Sequence, residues 1–143
     1  MSKSDWRYGL RVFVDTSAYY ALVDRGDKAW ARADYVRGLL ARHSARLFTT
    51  GLVLAETHAL VLSRFGAAVA LRVLDSIDRS STTVVRPTTS DEDRARSILH
   101  DYADKDFSLT DATSFAVMER MGLDAAFTFD HHFSQYGVRV VAQ

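Results

Sequence analysis

The stretch VFVDTS, residues 12–17, decides the fold class of this chain of 143 residues. Its first three residues are β-branched or aromatic and predict a strand that is covered on both faces. The next three, Asp15, Thr16 and Ser17, are residue types that begin helices. The same order, a short apolar run followed by a helical pattern, recurs along the chain. Alternating strands and helices predict a mostly parallel sheet with helices on both faces.

The remaining elements follow from apolar periodicity and from breaking residues. Five strands are predicted, at residues 11–14, 46–49, 82–86, 125–129 and 138–141. Helices are predicted at residues 16–23, 27–43, 51–64, 66–78, onward from Ser90 with Asp93 in a capping box, at 110–121 with Thr110 as N-cap, and at 130–136. Segment 51–64 is apolar nearly all round, so we expect it to be buried.

We therefore expect an α/β protein, a three-layer α/β/α sandwich around a sheet of about five strands. One domain over residues 1–143 fits the length, with residues 1–10 as a flexible N-terminal extension. There are no cysteines, which excludes disulfides and thiolate zinc sites. No apolar run reaches the ~18 residues of a membrane helix, and no secretory signal is visible, so we expect a cytoplasmic protein with no membrane partner.

Four acidic residues stand beside apolar sequence with no lysine or arginine in the same segments: Asp15, Glu56, Asp111 and Asp130. Two directly follow predicted strands, and the carboxyl ends of parallel strands meet at one edge of a sheet. A charge beside buried apolar surface needs a partner or a metal, and clustered carboxylates suit Mg²⁺ or Mn²⁺. Ordinary roles stay open: helix capping for Asp15 and Asp130, a first-turn acid at Asp111, and a solvated helix face for Glu56.

Other polar residues accompany the acids. Thr16 and Ser17 can donate hydrogen bonds to Asp15. Lys28 and Arg32 lie four residues apart on the predicted helix 27–43, and His131 and His132 follow Asp130. The net charge is zero, so any surface for nucleic-acid phosphates must be local. A solvated helix face and an exposed polar loop are the alternatives.

Four segments, taken together and in this order, resemble the PIN-domain nucleases and, among them, the VapC-like toxins of bacterial toxin–antitoxin pairs. They are VFVDTS at 12–17, AE at 55–56, FSLTDA at 107–112 and FTFDHHF at 127–133, and the resemblance extends from residue 12 to residue 141. The acidic quartet of that family maps onto the four acids named above. Its accompanying hydroxyl maps onto Thr128.

The resemblance implies Mg²⁺ or Mn²⁺ held by the quartet and cleavage of RNA by water, which leaves 5′-phosphate and 3′-hydroxyl ends. It also implies a small antitoxin partner and a homodimer, for which exposed-looking aromatic residues such as Tyr19, Trp30 and Tyr35 are candidates. A standalone RNA-processing nuclease and a non-catalytic nucleic-acid-binding module are the alternatives. A haloacid-dehalogenase-like phosphotransfer enzyme is disfavoured, because it needs an aspartate where Ser17 stands.

Overall fold

Four parallel strands form the centre of the protein, whose computed structural model describes residues 1–141. They are β1 (Arg11–Val14), β2 (Arg46–Thr50), β3 (Thr83–Val85) and β4 (Ala125–Phe127), in the order β3-β2-β1-β4. Val12 of the inner strand β1 pairs with Leu47 on one side and with Ala125 on the other. Val12 and Phe13 are fully buried, which confirms the predicted parallel sheet covered on both faces.

The helices flank this sheet. They are α1 (Thr16–Val23), α2 (Trp30–Arg42), α3 (Gly51–Phe65), α4 (Ala67–Arg79), α5 (Thr89–Asp101), α6 (Leu109–Met121) and α7 (His131–Tyr136), and a 3₁₀ turn covers Lys3–Asp5. Along the chain, α1 packs against α2 and α3, and α3 against α4, whereas α5 packs against α6 and α6 against α7. Within residues 1–141, every helix is too short or too polar to span a lipid bilayer.

The prediction of a fifth strand at residues 138–141 is wrong within the part of the chain that the structure describes. Val140 forms only an isolated parallel bridge with Ala126. The amide of Ala126 donates to the Arg139 carbonyl and the amide of Val141 to the Ala126 carbonyl, at 2.9 and 3.0 Å. Two bonds hold this segment beside β4 without extending into a ladder, so the sheet has four strands.

Strand β4 also ends two residues earlier than predicted, at Phe127. The cause lies in the side chains around its end. The Phe129 amide donates to Ser17 Oγ at 2.9 Å, and the Asp130 amide donates to Thr128 Oγ1 at 3.0 Å. These backbone groups bond to hydroxyls instead of a neighbouring strand, so the ladder stops and the chain turns toward α7.

Helix α2 begins at Trp30, not at residue 27. Asp27 belongs to the preceding turn, where its carboxylate accepts the Ala29 amide at 2.8 Å. Lys28 therefore lies outside the helix, and the prediction that Lys28 and Arg32 lie on one face of this helix is wrong.

The N-terminus of α5 also differs from its prediction. The cap is Thr88, whose side chain accepts the Asp91 amide while the Asp91 carboxylate accepts the Thr88 amide. The predicted cap Ser90 and its partner Asp93 lie inside the helix. Asp91 is also paired with Arg120 of α6 at 2.9 Å, a distant contact that favours Asp91 as the capping acid.

Helix α3 is exposed over most of its surface, against the prediction that it is buried. Its buried residues are Val53, Thr57 and Val61, one stripe at four-residue spacing. Large apolar side chains stand in solvent on its other faces: Leu52, Leu60, Leu62 and Phe65.

The first ten residues contact the rest of the protein. The Trp6 ring packs on His43 at the end of α2, with centroids 5.1 Å apart. Arg7 pairs with Asp124 at 2.7 Å. The segment expected to be a flexible extension therefore has specific contacts in this structure.

Candidate active site

Asp15 lies at the carboxyl end of β1 and caps α1, with only 3% of its surface exposed. One carboxylate oxygen, Oδ2, accepts the Ser17 hydroxyl at 2.9 Å, the Thr128 hydroxyl at 2.9 Å and the Ser17 amide at 3.4 Å. Burial raises the pKa of Asp15 to about 6, and the bonds from Ser17 and Thr128 oppose that rise. The protein thus holds this carboxylate in place while removing most of its water.

Thr128 connects Asp15 to Asp130. Its hydroxyl donates to Asp15 Oδ2 and accepts the Asp130 amide at 3.0 Å. Asp130 caps α7, and its Oδ1 accepts the His132 amide at 2.9 Å. The short loop from β4 to α7 therefore carries the fourth acid to the edge where β1 delivers the first.

Asp111 joins the group from α6. The cap of that helix is Ser108, not the predicted Thr110, and Asp111 closes the capping box because its Oδ2 accepts the Ser108 amide at 3.0 Å. The same oxygen lies 2.9 Å from Nδ1 of His132, which is also 3.3 Å from Asp130 Oδ1. Three acids are thereby linked in one network of hydrogen bonds.

The three aspartates share a pattern that suits a cation. In each carboxylate one oxygen is engaged by the protein, while no hydrogen bond from residues 1–141 reaches the other: Asp15 Oδ1, Asp111 Oδ1 and Asp130 Oδ2. No lysine or arginine forms an ion pair with any of them in the same range. Carboxylate oxygens left without a hydrogen bond are ligands that Mg²⁺ and Mn²⁺ prefer. Among residues 1–141, the candidate ligand atoms that all lie within 4.8 Å of one another belong to Asp130, His131 and His132, so Asp15 and Asp111 lie outside this compact group.

Glu56 does not share this environment. It lies on α3 with its surface exposed, and no described contact links it to the three aspartates. The argument that apolar neighbours bury its charge is wrong, because neighbours such as Leu52 and Leu60 are exposed too. Its helix does begin at the end of β2, at the same edge of the sheet as Asp15.

Residues 12–138 match the PIN domain family. The chain belongs to this family. It is 39% identical over 130 residues to the "23S rRNA-specific endonuclease VapC20" of Mycobacterium tuberculosis, an alignment that covers 88% of this chain and 94% of the relative.

Solved structures show the same fold. The crystal structure of Mycobacterium tuberculosis VapC20, described as a sarcin–ricin loop cleaving toxin, superposes with a TM-score of 0.81 at 32% identity and covers 89% of this chain and 95% of its own. VapBC2 from Rickettsia felis, bound to a promoter DNA fragment, gives 0.69 at 13% identity with coverage of 92% and 97%. FitAcB from Neisseria gonorrhoeae gives 0.64 at 14% with coverage of 90% and 95%. The last two likenesses concern the fold alone.

The other polar residues singled out in the sequence have varied positions in this PIN domain. Ser17 contacts the Asp15 carboxylate, whereas the Thr16 hydroxyl is buried and has no hydrogen-bond partner among residues 1–141. Lys28 and Arg32 are exposed, and the Arg32 guanidinium lies 5.4 Å above the Tyr35 ring. The His131 side chain is 74% exposed and its Nδ1 is 3.8 Å from Asp130 Oδ1.

Two contacts of the site were not predicted from the sequence, the helix cap at Ser108 and the hydrogen bond from His132 to Asp111. Ser108 was recognisable, since a serine three residues before an acid is the capping-box pattern. The contact from His132 to Asp111 spans 21 residues and has no local signature.

Proposed function

We propose that this PIN domain, residues 1–143, is a metal-dependent endoribonuclease that hydrolyses RNA phosphodiesters with water as the nucleophile. The observation that carries the proposal is the network from Asp15 through Thr128, Asp130 and His132 to Asp111, which leaves one unengaged oxygen on each carboxylate. Without a cation, the nearby negative carboxylates repel one another and lower the stability of the fold. A bound cation offsets this repulsion.

Asp15, Asp111 and Asp130 would hold Mg²⁺ or Mn²⁺, with Glu56 completing the set from α3. A bound cation of this kind supplies an activated water and offsets charge at the attacked phosphate. Ser17 and Thr128 fix the Asp15 carboxylate by donating to one of its oxygens. Because water attacks and not the ribose 2′-hydroxyl, the products carry 5′-phosphate and 3′-hydroxyl ends.

The substrate we propose is a structured ribosomal RNA. The relative with 39% identity is named as a 23S rRNA-specific endonuclease. His131, whose Nδ1 is 3.8 Å from Asp130, would contact a backbone phosphate beside the acidic centre. Lys28 and Arg32, both exposed, would contact phosphates elsewhere along the RNA, since a chain of zero net charge must concentrate its phosphate contacts locally.

We also propose that the protein is the toxin of a type II toxin–antitoxin pair, with a small antitoxin as partner. A groove of about 460 Å³ lies between α1, β2 and α4 and is lined by apolar side chains such as Leu22, Leu47 and Val73, with Arg37 and Arg72 also contributing. It suits an apolar segment that carries acidic residues. The likeness to VapC20, which is described as a toxin, supports this partner.

A homodimer and a cytoplasmic location complete the proposal. The exposed leucines of α3 are an apolar surface that a second copy would cover. Of the aromatic candidates, Tyr35 is 53% exposed and stays available, whereas Tyr19 packs against the core.

Cleavage of RNA by the purified protein tests the enzymatic proposal. Total RNA and a synthetic sarcin–ricin loop are incubated with Mg²⁺, with Mn²⁺ and with EDTA, and the ends are mapped for phosphate and hydroxyl. We expect metal-dependent cuts with 5′-phosphate ends that are absent with Asp15→Asn. Cuts that persist in EDTA, or 2′,3′-cyclic phosphate ends, would contradict a water nucleophile activated by a cation.

Expression in a host cell separates the toxin from a standalone nuclease. We expect growth arrest by the wild type, none by Asp15→Asn, and relief when a short reading frame beside the gene is co-expressed. Cleavage of RNA in vitro without growth arrest would favour the RNA-processing alternative. Binding of RNA without cleavage would favour the non-catalytic one.

A further inference from the structure

The imidazole of His132 lies between two carboxylates, and the capping of α7 does not explain this position. The cap of α7 uses only the backbone amide of this residue, which donates to Asp130 Oδ1. Its side chain, 18% exposed, instead reaches toward α6 and brings Nδ1 to 2.9 Å from Asp111 Oδ2. The same nitrogen is 3.3 Å from Asp130 Oδ1.

The direction of this hydrogen bond follows from its chemistry. A carboxylate can only accept, so Nδ1 of His132 carries the hydrogen and donates it to Asp111. Asp111 Oδ2 then has two donors, the imidazole and the Ser108 amide at 3.0 Å. Two donors on one oxygen prevent the carboxylate from rotating, and they leave Oδ1 as the atom available to a cation.

The imidazole is itself held in place. The Phe107 ring meets it edge-on with centroids 5.5 Å apart, and His131 lies against it at 4.6 Å. Phe107 is buried and packs edge-on against Phe115 of α6. The residue before the cap of α6 therefore also fixes the ring that contacts the acid of that helix.

We propose that His132 is a positioning residue of the carboxylate centre: its imidazole holds Asp111 against Asp130 and orients Asp111 Oδ1 toward the cation. The inference rests on the proposed function, since it concerns how that same centre is assembled. Two carboxylates that approach without a donor between them repel each other. Without the imidazole, Asp111 would turn and the two acids would separate.

Three variants test the role. His132→Ala removes the donor, and His132→Asn restores an N–H at nearly the same position, because the Asn amide nitrogen and the histidine Nδ1 are both attached to Cγ. His100→Ala is the matched control for metal binding, since His100 is an exposed histidine of α5 with no described contact to the carboxylates. Mn²⁺ affinity is measured by calorimetry on the full chain, with the shift in Tm as a second readout. Cleavage kinetics are measured alongside.

We expect His132→Ala to weaken Mn²⁺ binding about tenfold or more, as loss of a group that orients a metal ligand does. In the cleavage assay kcat should fall while KM for RNA stays near the wild-type value. His132→Asn should recover most of the Mn²⁺ affinity, and His100→Ala should keep the wild-type affinity within about twofold. Circular dichroism in EDTA checks that the variants fold. If His132→Ala does not fold, the test is whether His132→Asn binds Mn²⁺ with near wild-type affinity.

Three results would overturn the inference. One is wild-type Mn²⁺ affinity in His132→Ala. Another is a ¹⁴N coupling in the pulsed paramagnetic resonance of bound Mn²⁺ that disappears in His132→Ala, which would make the imidazole a direct ligand. The third is Mn²⁺ binding in His132→Asn as weak as in His132→Ala. A wild type that neither binds Mn²⁺ nor cleaves RNA would instead defeat the proposed function itself.

Discussion

At the scale of single residues, burial works against the negative charge of Asp15, which is the form that a cation needs. Asp15→Asn keeps an oxygen that can accept from Ser17 and Thr128 but removes the buried charge. We expect the variant, in EDTA at pH 7.5, to be more stable than the wild type by up to about 3 kcal/mol, the equivalent of about two pKa units. Its stabilisation by Mn²⁺ should disappear and its cleavage rate should fall at least about 100-fold. Denaturant titration and RNA cleavage measure these effects, and a destabilised variant would contradict the burial argument.

The same carboxyl predicts how stability depends on pH. Burial raises its pKa to about 6 in the folded protein, against about 3.9 in an unfolded chain. Between these values the folded state binds more protons, so the free energy of unfolding falls as pH rises from about 4 to about 6. Relative to Asp15→Asn, the wild type should lose about 2 kcal/mol across that window in EDTA. Glu56→Gln, at an exposed acid, is the control and should keep the wild-type slope.

The sequence predicted the location of a side chain correctly where that location depends only on the position of the residue along a strand. Asp15 was placed correctly directly after its strand, and Asp130 lies near the same edge although two residues separate it from the end of β4, because the carboxyl ends of parallel strands share an edge. Glu56 was credited with a buried setting that it lacks. The same apolar residue types occur on buried and on solvent-exposed helix faces, so the sequence could not distinguish the two cases.

At the scale of elements, the start of α6 links stability to the site. Ser108→Ala removes the acceptor of the Asp111 amide but keeps the backbone donor to Asp111 Oδ2. We expect a loss of about 1 kcal/mol in the free energy of unfolding, typical for a lost cap, with little change in Mn²⁺ affinity. Thr110→Ala, at the residue that the sequence favoured as cap, should cost less than about 0.5 kcal/mol. Urea unfolding compares the two, and the reverse ranking would place the cap at Thr110.

The predicted ends of strands and helices were wrong where contacts with distant side chains determine those ends. Strand β4 ends at Phe127 because Ser17, 112 residues away from Phe129, accepts the Phe129 amide. Thr88 caps α5 with an acid that Arg120 also binds. Apolar periodicity predicts that an element exists, but these contacts depend on the assembled fold, so its last residues could not be derived from local sequence.

At the scale of the whole molecule, the two helical flanks differ. The flank formed by α5, α6 and α7 is joined by ion pairs, Arg94 with Glu119 at 3.1 Å and Arg120 with Asp91 at 2.9 Å. The hairpin of α3 and α4 instead exposes large apolar side chains: Leu52, Leu60, Leu62, Phe65 and Leu71. Apolar surface concentrated on one flank is typical of a surface that another protein covers.

The homodimer that we propose should use this hairpin. Leu62 and Phe65 lie three residues apart on α3 and are 43% and 38% exposed, so they share a face. We expect the wild type to sediment at twice its 16.0 kDa chain mass and the double variant Leu62→Glu with Phe65→Glu to sediment as a folded monomer. Tyr8→Glu, at an 84% exposed residue outside the hairpin, should leave the dimer intact. Analytical ultracentrifugation over a concentration series distinguishes these outcomes. A double variant that stays dimeric would place the interface on another surface, and a wild type that is monomeric throughout would leave the exposed α3 face to the antitoxin.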